Sequence, residues 1–418
     1  MDSMAQALDG HLRDTRHSET LLNNELARQR QESELPVYRF GFGESPFPVP
    51  DRVIAAMHSA THRKEYSDVQ GLPELRESIA TFHNTLEEHK WQPDELLIGP
   101  GSKILLFCLM AALRDADVLL PAPSWVSYEP QAHLAGHRVL RLPTHPEDGW
   151  QLTPQGLREY CLSREPTTRP QILVLNYPGN PTGQSYGESD MEAFAEVLRQ
   201  HRILVISDEI YGLLNHKGEH RSLAHHYPEG TIISTGLSKW CGAGGWRLGA
   251  VRIPSQLGRD YLQRVIGVAS ETYSSASTPV QQAAVAAYQP CPEILRYIDD
   301  QRNILSGIGD SLAAQLTSAG VRVAQPQGGF YLFPDFSPLA PQLAQRGIHT
   351  CQQLTSKLLQ DTGVSLLAGS AFGMDGLRLT ARLAYVDFDG AGALRAGHAN
   401  TQRMEDGIGR LRDWLQEM

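Results

Sequence analysis

Short apolar runs alternate with stretches of helical periodicity from about residue 50 to residue 253, and this alternation restricts the folds open to the chain. Strands are predicted at residues 95–98, 117–120, 138–142, 172–176, 203–207, 231–234 and 248–253, with helical patterns between several of them. That order is typical of a mainly parallel sheet flanked by helices. The fold class is therefore predicted to be α/β.

The pattern changes after about residue 290. A long helical pattern covers residues 293–319, followed by strands at 321–324 and 330–334, a helix at 350–362 and a strand at 377–383. We therefore expect a large α/β domain at residues 49–290 and a smaller α+β domain at 291–418. Residues 1–48 would form an N-terminal arm and part of the small domain, although the polar residues 1–35 fit a helical arm and a disordered tail equally well.

The composition excludes several classes of partner. A formal net charge of -10 argues against nucleic acid, which selects a basic face. The 5 cysteines include no C-x-x-C pair, so neither a metal site nor a disulfide framework is expected. No apolar run approaches the ~20 residues of a membrane span, and the first 35 residues lack the apolar segment of a secretory signal. A cytoplasmic location without a membrane partner is the expectation.

Two loops that follow predicted strands carry candidate binding groups, and open parallel sheets bind ligands at the carboxyl ends of their strands. In the turn Gly101-Ser102-Lys103, backbone N–H groups at a helix start could bind a phosphate, although a simple turn is equally compatible. In the loop at residues 176–183, two prolines and two glycines restrict the backbone, and Asn180 could donate a hydrogen bond to a ring oxygen. A generic turn is the alternative for this loop.

Two charged residues complete the candidate site. Asp208 ends a very apolar strand, where a carboxylate is costly unless it pairs with a cation such as a protonated pyridine nitrogen; a structural salt bridge or a helix N-cap is the alternative. Lys239 lies among glycines, with Arg247 eight residues later. A lone lysine in such a setting is usually solvated, but this pair could supply an imine-forming amine and a phosphate ligand. With Asn180 and the Tyr211 phenol, the set matches pyridoxal 5′-phosphate.

Three motifs carry a family resemblance: NYPGNPTG at 176–183, SDEIYG at 207–212 and LSKWCGAGGWRLG at 237–249. Through them the chain resembles the class I/II aminotransferases, the aspartate-aminotransferase-like group of fold-type I pyridoxal-phosphate enzymes, over roughly residues 35–415. The resemblance implies a mainly parallel seven-stranded sheet in the large domain. It also implies a homodimer with shared active sites.

The resemblance assigns cofactor roles. Lys239 would bind the cofactor as an imine and later move the substrate α-proton, and Asp208 would keep the pyridine nitrogen protonated. Asn180 and Tyr211 would hydrogen-bond the cofactor O3′, and Trp125 would stack on the ring unless it only packs in the core. The phosphate would be bound by Gly101, Ser102, Lys103, Ser238, Arg247 and, from the neighbouring subunit, Tyr66. Gly236 departs from the family, in which many members carry a phosphate-binding serine at that position.

The resemblance also assigns the substrate site. Arg378 would bind the α-carboxylate, together with Asn180 and the backbone of Gly43. Lys103 would contact the distal carboxylate of an acidic substrate such as aspartate, and a surface position is an equally good account of this lysine. Glutamate and 2-oxoglutarate would be a natural second pair of amino donor and acceptor.

The expected activity is transfer of an amino group between an L-amino acid and a 2-oxo acid by a ping-pong mechanism. Two alternatives remain open at this point. The same cofactor and fold serve lyases, synthases and oxidases, because the motifs determine the cofactor and not which bond breaks. A non-catalytic ligand-sensing domain is the third reading, although no helix-turn-helix segment or basic patch accompanies the motifs.

Overall fold

The computed structural model describes residues 25, 28–32, 35–165 and 167–417, so most of the predicted N-terminal arm lies outside the described residues. The strands in the described part are β1 (Tyr38–Arg39), β2 (Leu96–Gly99), β3 (Asp117–Pro121), β4 (Arg138–Leu142), β5 (Gln171–Asn176), β6 (Leu204–Asp208), β7 (Thr231–Gly236), β8 (Gly249–Arg252), β9 (Tyr331–Leu332), β10 (Val364–Ser365), β11 (Leu367–Ala368) and β12 (Ala381–Ala384). The α-helices whose bounds are defined there are α1 (Asp51–Ala60), α2 (Pro73–Leu86), α3 (Ser102–Ala111), α4 (Tyr128–Leu134), α5 (Pro154–Leu162), α6 (Glu188–His201), α7 (Arg259–Thr272), α8 (Thr278–Ala287), α9 (Pro292–Ser318), α10 (Ala340–Gln345), α11 (Cys351–Thr362), α12 (Gly390–Ala396) and α13 (Gln402–Gln416).

A seven-stranded sheet in the order β2-β8-β7-β6-β5-β3-β4 forms the centre of the fold. The strands from β7 to β4 are parallel, whereas β8 runs antiparallel to both of its neighbours. Apolar side chains cover both faces, since Val118 and Leu120 of β3 join one core cluster and Leu119 joins another. The predicted α/β fold with seven mainly parallel strands is confirmed.

The C-terminal part contains a three-stranded antiparallel sheet, β11-β12-β9, and the long helix α9. Strand β1 pairs in parallel with β10, so residues 38–39 are tied to this region. The domain boundaries remain a prediction. Among the described residues, a search for a helix with the length and hydropathy of a membrane span found none.

Two strand predictions in this region were wrong in detail. Residues 321–324 form only an isolated bridge, in which Arg322 pairs with Asp335. The strand predicted at 377–383 begins later, at Ala381, because the chain makes a turn in which the Arg378 N–H donates to the Asp375 carbonyl at 3.0 Å. This difference changes which arginine reaches the interior.

The register of the sheet places three chain segments next to one another. Asn176, the last residue of β5, pairs with Asp208, the last residue of β6, and Asp208 pairs with Ser234 of β7. Because parallel strands end at the same edge of a sheet, the loops after β5, β6 and β7 share one side of the molecule. The N-terminus of α3 joins them, since it packs against Gly249 at the start of β8.

The contact at Gly249 generates a stability prediction. A Cβ at this position would lie 2.4 Å from the Ser102 backbone nitrogen, which cannot rotate away, so Gly249→Ala should lower the free energy of unfolding by about 1–3 kcal/mol. Gly267→Ala lies in the exposed middle of α7, where no atom of the described residues lies within 4 Å of the added Cβ, and should raise this free energy by about 0.5–1 kcal/mol. Denaturant unfolding compares the two variants. Wild-type stability of the Gly249→Ala protein would contradict the packing argument.

Candidate active site

A cavity of about 400 Å³ opens at the carboxyl edge of the sheet and collects most of the predicted site residues. Those that line it are Gly43, Ser102, Lys103, Trp125, Asn180, Asp208, Tyr211, Ser238, Lys239 and Arg247. Gly101 lies directly beneath Arg247, whereas Tyr66 and Arg378 are not part of the lining. Segments that are distant in the sequence therefore meet around one space.

Asp208 is 3% exposed and lies at the bottom of this cavity, at the end of β6. Its Oδ2 accepts a hydrogen bond from the Tyr128 hydroxyl at 2.6 Å, while Oδ1 has no hydrogen-bond partner in the described part of the chain. Burial raises the pKa of Asp208 to about 6, and the Tyr128 hydrogen bond only partly offsets that effect. The free oxygen suits a cationic N–H donor.

The Lys239 amine lies in the same cavity, three residues after β7 ends. Its Nζ donates a hydrogen bond to the Gly43 carbonyl at 3.0 Å. It also lies 5.5 Å from the centroid of the Tyr211 ring and 5.6 Å from that of Phe330. These contacts hold the amine over two aromatic faces, where a cation is favourable.

The loop after β5 is tied to the end of β6 through Asn176. The Asn176 side chain donates to the Asp208 carbonyl at 2.7 Å and accepts from the Asn180 backbone N–H at 2.7 Å. The Tyr211 hydroxyl lies 2.9 Å from the Tyr331 hydroxyl. Burial raises the pKa of Tyr211 well above its usual range, so its phenol keeps its proton and can donate it in a hydrogen bond.

Arg382 on β12 is a cavity residue that the sequence analysis missed. It is 2% exposed and donates to the Asn180 Oδ1 at 3.0 Å and to the Gly41 carbonyl at 2.7 Å, while its Nε has no hydrogen-bond partner among the residues that the structure describes. In the residues that the structure describes, no carboxylate oxygen lies within 4.0 Å of its guanidinium, and burial lowers the pKa of Arg382. A buried cation without an anion is costly unless a ligand supplies the negative charge.

The prediction that Arg378 reaches the site is corrected accordingly. Arg378 is exposed and does not line the cavity, because it lies in the turn before β12 and not on the strand. Arg382, four residues later, is on that strand and faces the interior. A charged residue between the apolar neighbours Ala381 and Leu383 was the signal that could have found it.

Lys103 and Arg247 make another end of the cavity cationic. Lys103 Nζ lies 5.2 Å from the centroid of the Trp125 ring, and partial burial, followed by repulsion from Arg247, lowers the Lys103 pKa. Neither cation forms an ion pair with a described residue. The first backbone N–H groups of α3 start at Ser102 in the same corner. Two unpaired cations at a helix N-terminus favour a bound anion.

Two glycines explain the backbone of this corner. Gly101 has φ +93°, and a Cβ there would lie 2.2 Å from Arg247 Nη2, so the glycine allows the guanidinium to approach. Gly236, the departure from the family pattern, has no room for a side chain, because a Cβ would lie 2.8 Å from the Leu248 carbonyl oxygen. Ser238, two residues after Gly236, offers a hydroxyl group to the cavity instead.

The family model "Aminotransferase class I and II" matches residues 36–387. The chain belongs to this aminotransferase family. It is 30% identical to a probable aspartate/prephenate aminotransferase of Aquifex aeolicus, over 99% of this chain and 100% of that protein. It is 31% identical to an aspartate aminotransferase of Geobacillus stearothermophilus, over 87% of this chain and 91% of that protein.

A solved structure of aspartate aminotransferase from Thermus thermophilus with maleate is similar throughout. The TM-score is 0.83 at 27% identity, covering 95% of this chain and 97% of that one. The resemblance inferred from the motifs is confirmed, and the aminotransferase activity is supported over the lyase, synthase or oxidase alternative.

The two arginines yield a direct test. Arg382→Gln should lower kcat/KM of transamination at least about 30-fold, because truncating one member of a buried charge pair costs about 2–5 kcal/mol. The matched control Arg378→Gln removes the same charge from the surface and should change kcat/KM by less than about twofold. Steady-state kinetics measure both. The reverse ranking would restore Arg378 and refute the assignment to Arg382.

Proposed function

We propose that this aminotransferase uses pyridoxal 5′-phosphate to move the amino group of an acidic L-amino acid, such as aspartate, to a 2-oxo acid by a ping-pong mechanism. The observation that carries the proposal is a pair of buried, opposite charges in one cavity that have no counterion among the described residues: Asp208 with its free Oδ1 and Arg382. A cofactor with a protonated ring nitrogen and a substrate with a carboxylate would satisfy both.

The groups around the cavity fit the cofactor at each end. When bound, pyridoxal 5′-phosphate supplies an electron sink for a carbanion at the substrate α-carbon. Asp208 Oδ1 would accept the hydrogen bond of the pyridine N–H, and the Trp125 ring would pack against the face of the cofactor. Tyr211 and Asn180 would hydrogen-bond the phenolic oxygen. The phosphate would lie between Ser102 at the start of α3, Ser238 and Arg247.

Lys239 would supply the mobile proton acceptor. Its Nζ, now hydrogen-bonded to the Gly43 carbonyl at 3.0 Å, would take the α-proton of the substrate and return it to the other reacting carbon. Asp208 acts as the fixed negative charge and Tyr211 as a protonated phenol, so neither competes with Lys239 for that proton. Each titratable group has a separate task.

Substrate selection would use the two remaining cations. Arg382 would bind the α-carboxylate with its planar guanidinium, and the Gly43 backbone would lie beside it. Lys103, partly buried at the cationic end, would bind a distal carboxylate. The names of the relatives, aspartate and aspartate/prephenate aminotransferase, and the dicarboxylate maleate in the similar structure favour an acidic substrate.

A homodimer in the cytoplasm is part of the proposal. Tyr66 is 91% exposed and lies outside the cavity of its own chain, so it is free to reach the cofactor phosphate of a neighbouring subunit.

The proposed chemistry has an optical test. Adding L-aspartate to the cofactor-loaded protein should convert an absorbance band near ~420 nm to one near ~330 nm, the bands expected from this cofactor's electronics. Lys239→Ala should slow this half-reaction by at least about 10²–10⁴-fold, because the proton acceptor is lost. Unchanged bands with every amino acid of a panel would exclude transamination.

The substrate class has a separate test. Lys103→Gln should lower kcat/KM for aspartate by about 10–100-fold, because a hydrogen bond to a charged group is worth about 1.5–3 kcal/mol, while leaving that for phenylalanine within about threefold. Comparing the two substrates in one variant controls for damage to the fold. An equal loss for both would mean that Lys103 binds the cofactor and not the distal carboxylate.

A further inference from the structure

Glu209, the residue directly after Asp208, is buried on the other side of β6, away from the cavity lining. Its Oε1 accepts hydrogen bonds from Ser207 Oγ at 2.7 Å, Ser222 Oγ at 2.8 Å and the Tyr177 hydroxyl at 3.2 Å. Its Oε2 lies 2.8 Å from His220 Nε2. Four contacts of this kind favour the ionised carboxylate.

His220 is the imidazole beside this carboxylate. Although burial disfavours both charges, the hydrogen bond and the opposite charge across the contact lower the pKa of Glu209 and raise that of His220. The imidazole also stacks on the Tyr177 ring, with centroids 5.4 Å apart and planes at 29°. Its position is therefore determined by two contacts, one ionic and one aromatic.

The surroundings contain other titratable groups that face the pair. Glu87, just after α2, and Arg302 of α9 act on His220 with opposite signs, and Glu87 is itself paired with His83. Burial lowers the pKa of His89 to about 4, so this imidazole is neutral near pH 7. On the cavity side, the groups that face Asp208 are Tyr128, Tyr211 and Lys239.

An uncompensated negative charge on Glu209 would act on Asp208 next to it. Two adjacent buried carboxylates do not both ionise readily, because like charges repel strongly in a low dielectric. The charge of Glu209 does raise the pKa of Asp208, after the larger effect of burial. A cation beside Glu209 limits the repulsion between the two carboxylates.

We propose that the buried Glu209–His220 ion pair is a positioning unit for the reaction, in which His220 offsets the charge of Glu209 so that Asp208 can carry the negative charge that the cofactor nitrogen requires. This inference rests on the proposed function. Neither residue lines the cavity, so both act through Asp208.

Single charge changes test the proposal with opposite expected signs. His220→Gln keeps a hydrogen-bond donor but removes the cation, and should move the protonation midpoint of Asp208 upward by about one pH unit. Glu209→Gln removes the anion and should move it downward by a similar amount. The double variant removes both charges, and its midpoint should lie between those of the two single variants.

The measurement is the affinity for pyridoxamine 5′-phosphate, which forms no imine with Lys239, followed by tryptophan fluorescence between pH 5 and pH 8. Affinity requires ionised Asp208, whose pKa of about 6 places the wild-type loss of affinity below about pH 6. At pH 6.5 the His220→Gln protein should bind about threefold more weakly than wild type. At pH 5.5 the Glu209→Gln protein should bind about threefold more tightly.

The phosphate of the cofactor titrates in the same way with every variant. Differences in midpoint between variants therefore come from the protein. His226→Gln, which changes a half-buried imidazole 2.7 Å from Glu188, is the control and should leave the midpoint unchanged. Equal weakening by both single variants at every pH would show a merely structural role and overturn the proposal.

If His220→Gln fails to fold, Glu209→Gln and the double variant still decide whether the proposal holds. A wild-type protein that binds no pyridoxamine 5′-phosphate would instead refute the proposed function.

Discussion

Burial of the Asp208 carboxylate at the end of β6 is the constraint on which the rest of the site depends. A charge removed from water at this depth needs partners, and the fold supplies them from several elements. The Tyr128 hydroxyl of α4 donates to the carboxylate Oδ2, and the Asn176 side chain of β5 donates to the backbone carbonyl of Asp208. Glu209, which is paired with His220, follows directly in the chain. The second oxygen has no partner among the described residues, which leaves one position for a ligand cation.

The opposite charge comes from the C-terminal part of the chain. Arg382 on β12 contacts Asn180, which follows β5, and the Gly41 carbonyl near the N-terminus. The guanidinium therefore connects the small antiparallel sheet to the loops of the large one. Lys239 lines the same cavity as Asp208 and Arg382, with its amine over the Tyr211 ring. Under the proposed function, this arrangement would orient a zwitterionic substrate with its carboxylate toward Arg382 and its α-carbon toward Lys239.

Sequence patterns predicted the large sheet well because its strands are buried on both faces and appear as continuous apolar runs. The loops after β5, β6 and β7 were also predictable, since parallel strands end on one side. Local patterns failed where tertiary contacts decide the outcome. The turn at Asp375 delays β12 and exposes Arg378, and the contact of Tyr128 with Asp208 spans 80 residues. The role of Tyr66 depends on a second subunit and stays a prediction.

The central claim is that Lys239 is the residue that binds the cofactor, with Asp208 and Arg382 as its charged neighbours. Borohydride reduction of the cofactor-loaded protein, followed by peptide mass spectrometry, tests it most directly. We predict one phosphopyridoxyl group per chain on the peptide that contains Lys239, and none in a Lys239→Ala protein. An adduct on another lysine, or no adduct at all, would contradict the account.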